Sequence, residues 1–199
     1  MKSIDATAAV QRHVPDDVIV VAGLGRSAWC ARELWGRSVL ILDALGDVLP
    51  TAIGLSVAYG PSSDRNVLSM EGDGSFLFGV HGLVTLAACR HLVGRFLAVI
   101  LDNTILESAG GLPTLSYPLR WDLLCAAHGL AYAQATTVPE VDDAMREIGG
   151  VGVLRLVVTD AERLPTPADI DTGSENVVGF RRMLADRDNK PLPSPAQKW

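Results

Sequence analysis

The chain has 199 residues, of which 48% are apolar and 20% are charged, and its formal net charge is −6. This composition is typical of a globular domain with a substantial core and not of a disordered chain. The negative charge argues against nucleic-acid binding, which needs a basic surface, and no apolar run approaches the roughly 20 residues of a membrane span.

Short apolar runs alternate with longer helical patterns along the chain. In chain order the sequence predicts a strand at 18–22, a helix at 27–34, a strand at 39–43, a helix at 47–59, a strand at 66–70, a helix at 75–91, a strand at 96–102, a helix at 120–128, a strand at 131–136, a helix at 138–148 and a strand at 152–158. Several of these strands are apolar without alternation, which is typical of parallel strands covered on both faces. The order predicts an α/β fold with a doubly wound, mainly parallel six-stranded sheet.

The pattern changes near residue 163, where prolines become frequent. We therefore predict an α/β domain over residues 1–163 and a C-terminal extension over residues 164–199. The extension contains one predicted helix, at 174–185, and ends in a Pro-rich tail that we expect to be mobile.

The N-terminus and the cysteines indicate the cellular compartment of the protein. The first residues, 1–5, lack the apolar segment of a signal peptide. Cys30, Cys89 and Cys125 are widely spaced among apolar residues, which favours buried reduced thiols over disulfides. We expect a cytoplasmic protein that binds neither nucleic acid nor membranes.

Polar residues follow two predicted strands at the edge where such sheets bind ligands. Asp73 lies in a Gly-rich turn after the third strand, and Asn103 ends the fourth. A carboxylate oxygen and an amide oxygen suit Mg²⁺, which commonly shares its ligand shell with phosphates. The backbone N–H groups of Gly74, Ser75 and Phe76 would then face a diphosphate at the start of the next helix. The sequence therefore predicts a site for magnesium and a diphosphate.

A different cofactor is suggested near the N-terminus. Residues 23–28 read G-x-G-x-x-A between a predicted strand and a predicted helix, and Asp43 ends the next strand. This context is typical of a dinucleotide-binding turn. Taken alone it would indicate an NAD-dependent oxidoreductase, although it leaves the Asp73 and Asn103 motifs unexplained.

The motifs together carry a family resemblance. Residues 18–116 resemble the pyrophosphate-binding domain of thiamine diphosphate (ThDP)-dependent 2-oxo acid decarboxylases, in particular phosphonopyruvate decarboxylases and sulfopyruvate decarboxylase β subunits. The matching motifs are Gly72-Asp73-Gly74-Ser75, Leu101-Asp102-Asn103, Glu107-Ser108 and Gly110-Gly111-Leu112-Pro113-Thr114, with Gly25-Arg26-Ser27 and Arg32-Glu33-Leu34 upstream of them around an insertion.

The resemblance implies ThDP and Mg²⁺ as cofactors. By position, the metal ligands would be Asp73, Asn103 and the backbone carbonyl of Ile105. Leu45 matches the bulky residue that holds ThDP bent, and the carbonyl of Asp43 would accept a hydrogen bond from the aminopyrimidine. The full set of implied cofactor-binding residues is Asp43, Leu45, Gly46, Gly72, Gly74, Ser75, Phe76, Ile105 and Leu106.

Two residues are candidates for catalysis, each with a structural alternative. Glu107 lies beside the expected thiazolium position, where it would act in the reaction or stabilise the loop. His81, on the predicted helix after the diphosphate turn, would donate a proton or serve a structural hydrogen bond. Leu112 stands where the family usually has Gln, close to the expected substrate pocket, so the resemblance leaves the identity of the substrate open.

The resemblance also implies a partner. In these enzymes the glutamate that activates the pyrimidine N1′ lies on a separate pyrimidine-binding domain, and no second α/β domain fits here. We therefore expect a pyrimidine-binding α subunit and an α2β2 or larger assembly. The expected reaction is decarboxylation of a small 2-oxo acid, similar to phosphonopyruvate or sulfopyruvate, to an aldehyde. The alternatives are a carboligase resembling acetolactate synthase, the NAD-dependent oxidoreductase and a non-catalytic scaffold subunit.

Overall fold

The computed structural model describes residues 1–159 and 173–191. Its strands are β1 (Ile19–Gly23), β2 (Val39–Leu42), β3 (Val67–Gly72), β4 (Phe96–Asp102), β5 (Ile105–Leu106), β6 (Leu112–Pro113), β7 (Ala131–Ala135) and β8 (Val151–Val157). Its helices are α1 (Ser3–Gln11), α2 (Arg26–Trp35), α3 (Val48–Tyr59), α4 (Asp73–Phe78), α5 (Gly82–Cys89), α6 (Trp121–Ala127), α7 (Val138–Ile148) and α8 (Gly173–Arg187).

Six strands form one parallel sheet in the order β2-β1-β3-β4-β8-β7. The predicted fold class is thereby confirmed. The chain winds from β1 outward to β2 and then returns to the other side of β1 with β3. This reversal opens a crevice at the carboxyl ends of β1 and β3, which is where doubly wound sheets bind ligands.

Both faces of the sheet are covered, and this explains the unpatterned apolar strands. One face packs against α1, α2 and α7, and the other against α3, α4, α5, α6 and α8. Neighbouring residues of β1 alternate between the two cores, with Val20 in the first and Val21 in the second. Cys30 and Cys125 are buried, and Cys89 is half-buried.

The single helix predicted at 75–91 is wrong, because α4 and α5 are separated by residues 79–81. The break lies where the backbone of Gly79 touches that of Gly46. A Cβ atom on Gly79 would collide with the carbonyl oxygen of Gly46. Helix α1 and the short antiparallel ribbon of β5 and β6 were not among the predicted elements.

Helix α8 confirms the predicted C-terminal helix and covers the edge strand β2. The Asn176 carboxamide accepts a hydrogen bond from the N–H of Ile41 (2.8 Å) and donates one to the carbonyl of Val39 (2.9 Å). Beyond α8, Asp188 accepts hydrogen bonds from Tyr59 and Arg65. Residues 160–172 and 192–199, including most of the predicted tail, lie outside the described residues, so the division into domain and extension stays a prediction.

Among the described residues, no helix has both the length and the apolar character needed to cross a bilayer.

Candidate cofactor site

The carboxyl ends of β3 and β4 bring the two predicted metal ligands to one edge of the sheet. Gly72, the last residue of β3, pairs with Leu101 of β4. Asp73 directly follows Gly72, and Asn103 follows Asp102, the last residue of β4, so both residues leave the sheet at the same edge. The loop after β4 folds back through β5 and β6 and packs against α4.

Asp73 is buried at the first position of α4, with only 1% of its surface exposed. Its Oδ2 accepts a hydrogen bond from the Thr114 hydroxyl, whereas its Oδ1 has no hydrogen-bond partner among the described residues. Burial raises the pKa of Asp73 from 3.8 to about 6, the Thr114 hydrogen bond opposes the rise, and the charge of Asp102 adds to it. An unsatisfied buried carboxylate oxygen is costly, and it is typical of a site that takes a cation or a water molecule.

Gly74 allows close packing between α4 and the ribbon. A Cβ atom at this position would lie 2.6 Å from Cδ1 of Leu106 and 3.2 Å from Cγ2 of Thr114. The glycine therefore lets the β5–β6 ribbon reach Asp73 and deliver the Thr114 hydroxyl.

Asp102 holds the turn that carries Asn103. Its Oδ1 accepts a hydrogen bond from the N–H of Thr104 (3.0 Å), and its Oδ2 accepts one from Nε of Arg155 (2.6 Å) and one from the Ser116 hydroxyl. Asp102 is fully buried, so the Arg155 guanidinium supplies the opposite charge that such burial needs. Thr104 adopts a φ of 60°, an unfavourable conformation for a β-branched residue, in the turn between Asn103 and Ile105.

The Asn103 carboxamide is held on both sides. Its Oδ1 accepts a hydrogen bond from the N–H of Ile105 (3.0 Å), and its Nδ2 donates one to Oε1 of Glu107 (3.1 Å). The same Glu107 oxygen accepts hydrogen bonds from Nε (3.1 Å) and Nη2 (2.6 Å) of Arg26. Glu107 is therefore the centre of a polar cluster beside the predicted metal ligands.

Glu71 is a buried residue of the site that sequence reasoning missed. Its Oε2 accepts a hydrogen bond from the Ser75 hydroxyl (2.6 Å), and its Oε1 has no partner among the residues described. Burial raises the pKa of Glu71 from 4.5 to about 7, against hydrogen bonds from Ser75 and the N–H of Leu49, and the charge of Asp47 adds to the rise. The available signal was a glutamate near the end of an otherwise apolar strand.

Ser75 connects the diphosphate turn to the loop after β2. While its hydroxyl donates to Glu71, its oxygen accepts a hydrogen bond from the N–H of Gly46 (3.3 Å). Gly46 is buried with a φ of 87°, and a Cβ atom there would lie 2.9 Å from the backbone nitrogen of Gly79. The loop that carries Asp43 and Leu45 is thus attached to the start of α4, and both of those side chains are exposed.

The remaining candidate residues lie in the core, in β5 and in the break before α5. The Phe76 side chain lies in the core against Trp121, with ring centroids 5.6 Å apart, so only its backbone is available to a ligand. Ile105 and Leu106 are half-buried in β5. The predicted helical position of His81 is wrong, because this exposed residue lies in the break before α5.

These observations describe a doubly wound domain with buried carboxylates at the carboxyl ends of its strands. The chain belongs to the family described as thiamine pyrophosphate enzyme, C-terminal TPP binding domain, whose model matches residues 23–157. The match includes the G-x-G-x-x-A turn at residues 23–28. The predicted family resemblance is confirmed.

Named relatives agree with this assignment. The chain is 31% identical over 147 residues to phosphonopyruvate decarboxylase of Streptomyces viridochromogenes, a match that covers 69% of this chain and 35% of the relative. It is 34% identical over 102 residues to sulfopyruvate decarboxylase subunit beta of Methanothermobacter thermautotrophicus, covering 49% of this chain and 50% of the relative. The chain thus spans only a part of each.

A solved structure supports the fold. The thiamine diphosphate-dependent 4-hydroxybenzoylformate decarboxylase of Rhodococcus jostii RHA1 matches with a TM-score of 0.60 and 21% identity, over 82% of this chain and 33% of that one. At this level of identity the similarity shows a common fold.

Proposed function

We propose that this domain binds Mg²⁺ and ThDP and acts as the pyrophosphate-binding β subunit of a two-component 2-oxo acid decarboxylase. The observation that carries the proposal is the Oδ1 of buried Asp73, which has no hydrogen-bond partner within residues 1–159 and 173–191. A divalent cation would satisfy that oxygen, and an oxygen-rich donor set suits Mg²⁺. The donor chemistry therefore fits the expected metal.

The residues around Asp73 would bind and orient the cofactor. Asp73, Asn103 and the carbonyl of Ile105 would hold Mg²⁺, while backbone N–H groups from Gly74 to Phe76 would face the diphosphate. The loop with Asp43 and Leu45 would receive the aminopyrimidine, and its attachment through Ser75 supports a fixed distance between the two ends of the cofactor. When bound, ThDP supplies the electron sink needed for a 2-oxo acid to lose CO₂.

A partner α subunit would complete the active site and supply the glutamate for N1′. Exposed apolar side chains near the carboxyl ends of β3 and β4, the cofactor edge of the sheet, support this part of the proposal. More than half of the surface is exposed in each of Phe78, Leu112, Leu115 and Tyr117. Between α4 and the ribbon lies a mainly apolar cleft of about 270 Å³. Apolar surface of this kind is typical of a protein interface. The name of the sulfopyruvate relative, a subunit beta, points the same way.

The names of the relatives also support the substrate class. Both describe enzymes that act on a pyruvate with a second acidic group, a phosphonate or a sulfonate. We therefore propose a pyruvate with an anionic substituent as substrate, and an aldehyde and CO₂ as products.

Co-expression tests the proposal directly. The chain would be produced with a candidate pyrimidine-binding α subunit from the same organism and supplied with Mg²⁺, ThDP and either phosphonopyruvate, sulfopyruvate or pyruvate. We expect CO₂ and aldehyde only when both subunits are present, with a clear preference for one of the two acidic substrates. Full turnover by the isolated chain would contradict the two-component proposal, and an acyloin product would assign a carboligase instead.

A further inference from the structure

Three N–H donors from two loops converge on a single carboxylate oxygen beside the proposed metal ligands. Oε1 of Glu107 accepts hydrogen bonds from Nε (3.1 Å) and Nη2 (2.6 Å) of Arg26 and from Nδ2 of Asn103 (3.1 Å). Arg26 begins α2 after β1, and Glu107 follows the short strand β5 after β4. Because β3 lies between β1 and β4 in the sheet, this ion pair crosses the carboxyl end of the strand that precedes Asp73.

We infer that Arg26 and Glu107 are positioning residues that fix the orientation of the Asn103 carboxamide and thereby set the affinity of the metal site. The inference rests on the proposed function. It assigns Glu107 a role through Asn103 and not a proton-transfer role of its own.

The orientation of an asparagine amide is decided by its neighbours, since its oxygen accepts hydrogen bonds and its nitrogen donates them. Ionised Glu107 can only accept, so it selects the nitrogen of Asn103, while the N–H of Ile105 can only donate, so it selects the oxygen (3.0 Å). Both hydrogen bonds therefore favour the same orientation of the Asn103 carboxamide. The amide oxygen has a second lone pair, which is then available to Mg²⁺.

Arg26 explains how a partly exposed glutamate keeps a fixed position. The Glu107 side chain is 42% exposed, whereas the Arg26 side chain is only 6% exposed. A buried guanidinium that delivers two N–H groups to one oxygen restricts the glutamate rotamer. With three donors already on Oε1, that oxygen is not available as a metal ligand. Residues that orient metal ligands from behind typically change metal affinity 10- to 100-fold when they are mutated.

The test measures Mn²⁺ binding to the full chain at saturating ThDP, from the electron paramagnetic resonance signal of free Mn²⁺. We expect Glu107→Ala to weaken Mn²⁺ binding by about tenfold or more, because the amide of Asn103 loses its acceptor. Glu107→Gln keeps a neutral acceptor for the Asn103 amide, so its Mn²⁺ affinity should lie between those of Glu107→Ala and the wild type. Arg26→Met should have a Mn²⁺ affinity similar to that of Glu107→Gln. Arg146→Met is the control, since Arg146 forms an exposed ion pair with Asp143 on α7, and we expect it to bind like the wild type.

The outcomes separate this inference from the proposed function. If Glu107→Ala and Glu107→Gln both bind Mn²⁺ within twofold of wild type while Asp73→Asn does not bind, the positioning role is wrong and the metal site stands. If wild type itself binds no Mn²⁺ with ThDP, both proposals fail. A purely structural role for Glu107 would lower the melting temperature of the metal-free protein without the graded Ala and Gln effects on affinity. Should Arg26→Met not fold, the two Glu107 variants decide the question alone.

Discussion

Three buried carboxylates at the cofactor edge differ in the partners that they have. Asp102 is paired with Arg155 and receives two further hydrogen bonds. Glu71 receives a hydrogen bond from the Ser75 hydroxyl, and burial raises its pKa to about 7. Glu71 and Asp73 each keep one oxygen without a partner in the described part of the chain. An uncompensated buried charge is costly, so a cation bound at Asp73 would stabilise this carboxylate.

The raised pKa of Glu71 predicts a pH-dependent stability. The folded state holds a proton up to about pH 7, whereas the unfolded chain releases it near 4.5. The stabilising contribution is therefore complete below pH 4.5 and is lost as the pH rises through 7. Relative to Glu71→Gln, the metal-free wild type should lose roughly 2 to 3 kcal/mol of unfolding free energy between pH 5 and pH 8.

Urea unfolding in EDTA at pH 5, 6.5 and 8 measures this difference. Glu33→Gln, which changes an exposed glutamate of α2, is the control and should follow the wild type at each pH. Parallel curves for wild type and Glu71→Gln would show that Glu71 is not protonated in the folded protein near pH 6.

The raised pKa of Asp73 predicts that protons compete with the metal. A metal ligand must be deprotonated, and burial places the pKa of Asp73 at about 6. Mg²⁺-dependent ThDP binding should be nearly constant above pH 7 and should fall roughly tenfold per pH unit below pH 6. Calorimetric titrations between pH 5 and pH 8 test this dependence, and an affinity independent of pH would exclude Asp73 as the titrating ligand.

At the scale of single residues, the sequence predicts those members of the site that directly follow strands. Asp73 and Asn103 are recognisable because parallel strand ends meet at one edge. Arg26 and Asp102 stand in quoted motifs, yet their contacts with Glu107 and Arg155 join residues 81 and 53 positions apart. Such long-range pairs depend on the packing of loops, which no local pattern reports.

At the scale of elements, two backbone segments touch at glycines and thereby shape the site. Gly46 in the loop after β2 and Gly79 at the end of α4 leave no room for a Cβ atom between them. This contact explains why the helix breaks there. The apolar run from residue 75 onward reads as one continuous helix, because the sequence does not contain the position of the loop that interrupts it.

Gly79→Ala should therefore destabilise the protein and disturb the cofactor loop. The new methyl group would force apart α4 and the loop after β2, at a cost of about 1 to 3 kcal/mol. Gly54→Ala is the matched control, because Gly54 lies inside α3 with nothing within 4 Å of its added Cβ atom. That control should stabilise the protein by up to about 1 kcal/mol. Chemical unfolding measures both, and equal effects of the two substitutions would contradict the contact.

At the scale of the whole molecule, the carboxyl end of the sheet (the cofactor edge) and the outer strand β2 differ in how much apolar surface they expose. The cofactor edge is bordered by Phe78, Leu112, Leu115 and Tyr117, all strongly exposed. The outer strand β2, in contrast, is covered by Asn176 of α8, which occupies its free backbone groups. The molecule thus protects one sheet edge with its own helix and leaves an apolar face next to the proposed active site.

Leu115→Glu should weaken association with the α subunit by at least about tenfold, because a charge would be buried in an apolar interface. The stability of the isolated chain should not change, since Leu115 is 77% exposed. Leu92→Glu alters another exposed leucine, which lies between α5 and the start of β4 at the opposite end of the sheet, and it should leave association unchanged. Affinity chromatography of co-expressed subunits compares the two, and equal recovery of the partner would place the interface elsewhere.

The fold class is predicted well because apolar runs that alternate with helical patterns indicate parallel strands covered by helices. The order of the strands in the sheet was not predicted and is given by the structure. The sequence does not predict how the face around Phe78 and Leu115 is exposed, since isolated apolar residues in loops read equally well as core. Exposure there results from how the ribbon of β5 and β6 folds over α4, which is a tertiary arrangement.

Calorimetric titration of the full chain with ThDP, in the presence of Mg²⁺ or of EDTA, tests the central claim most directly. The structure predicts that ThDP binding requires Mg²⁺ and is lost in Asp73→Asn. The substitution replaces the buried carboxylate, whose negative charge would balance the cation, by a neutral amide. Binding of ThDP that is equally strong in EDTA, or equally strong in Asp73→Asn, would contradict the account.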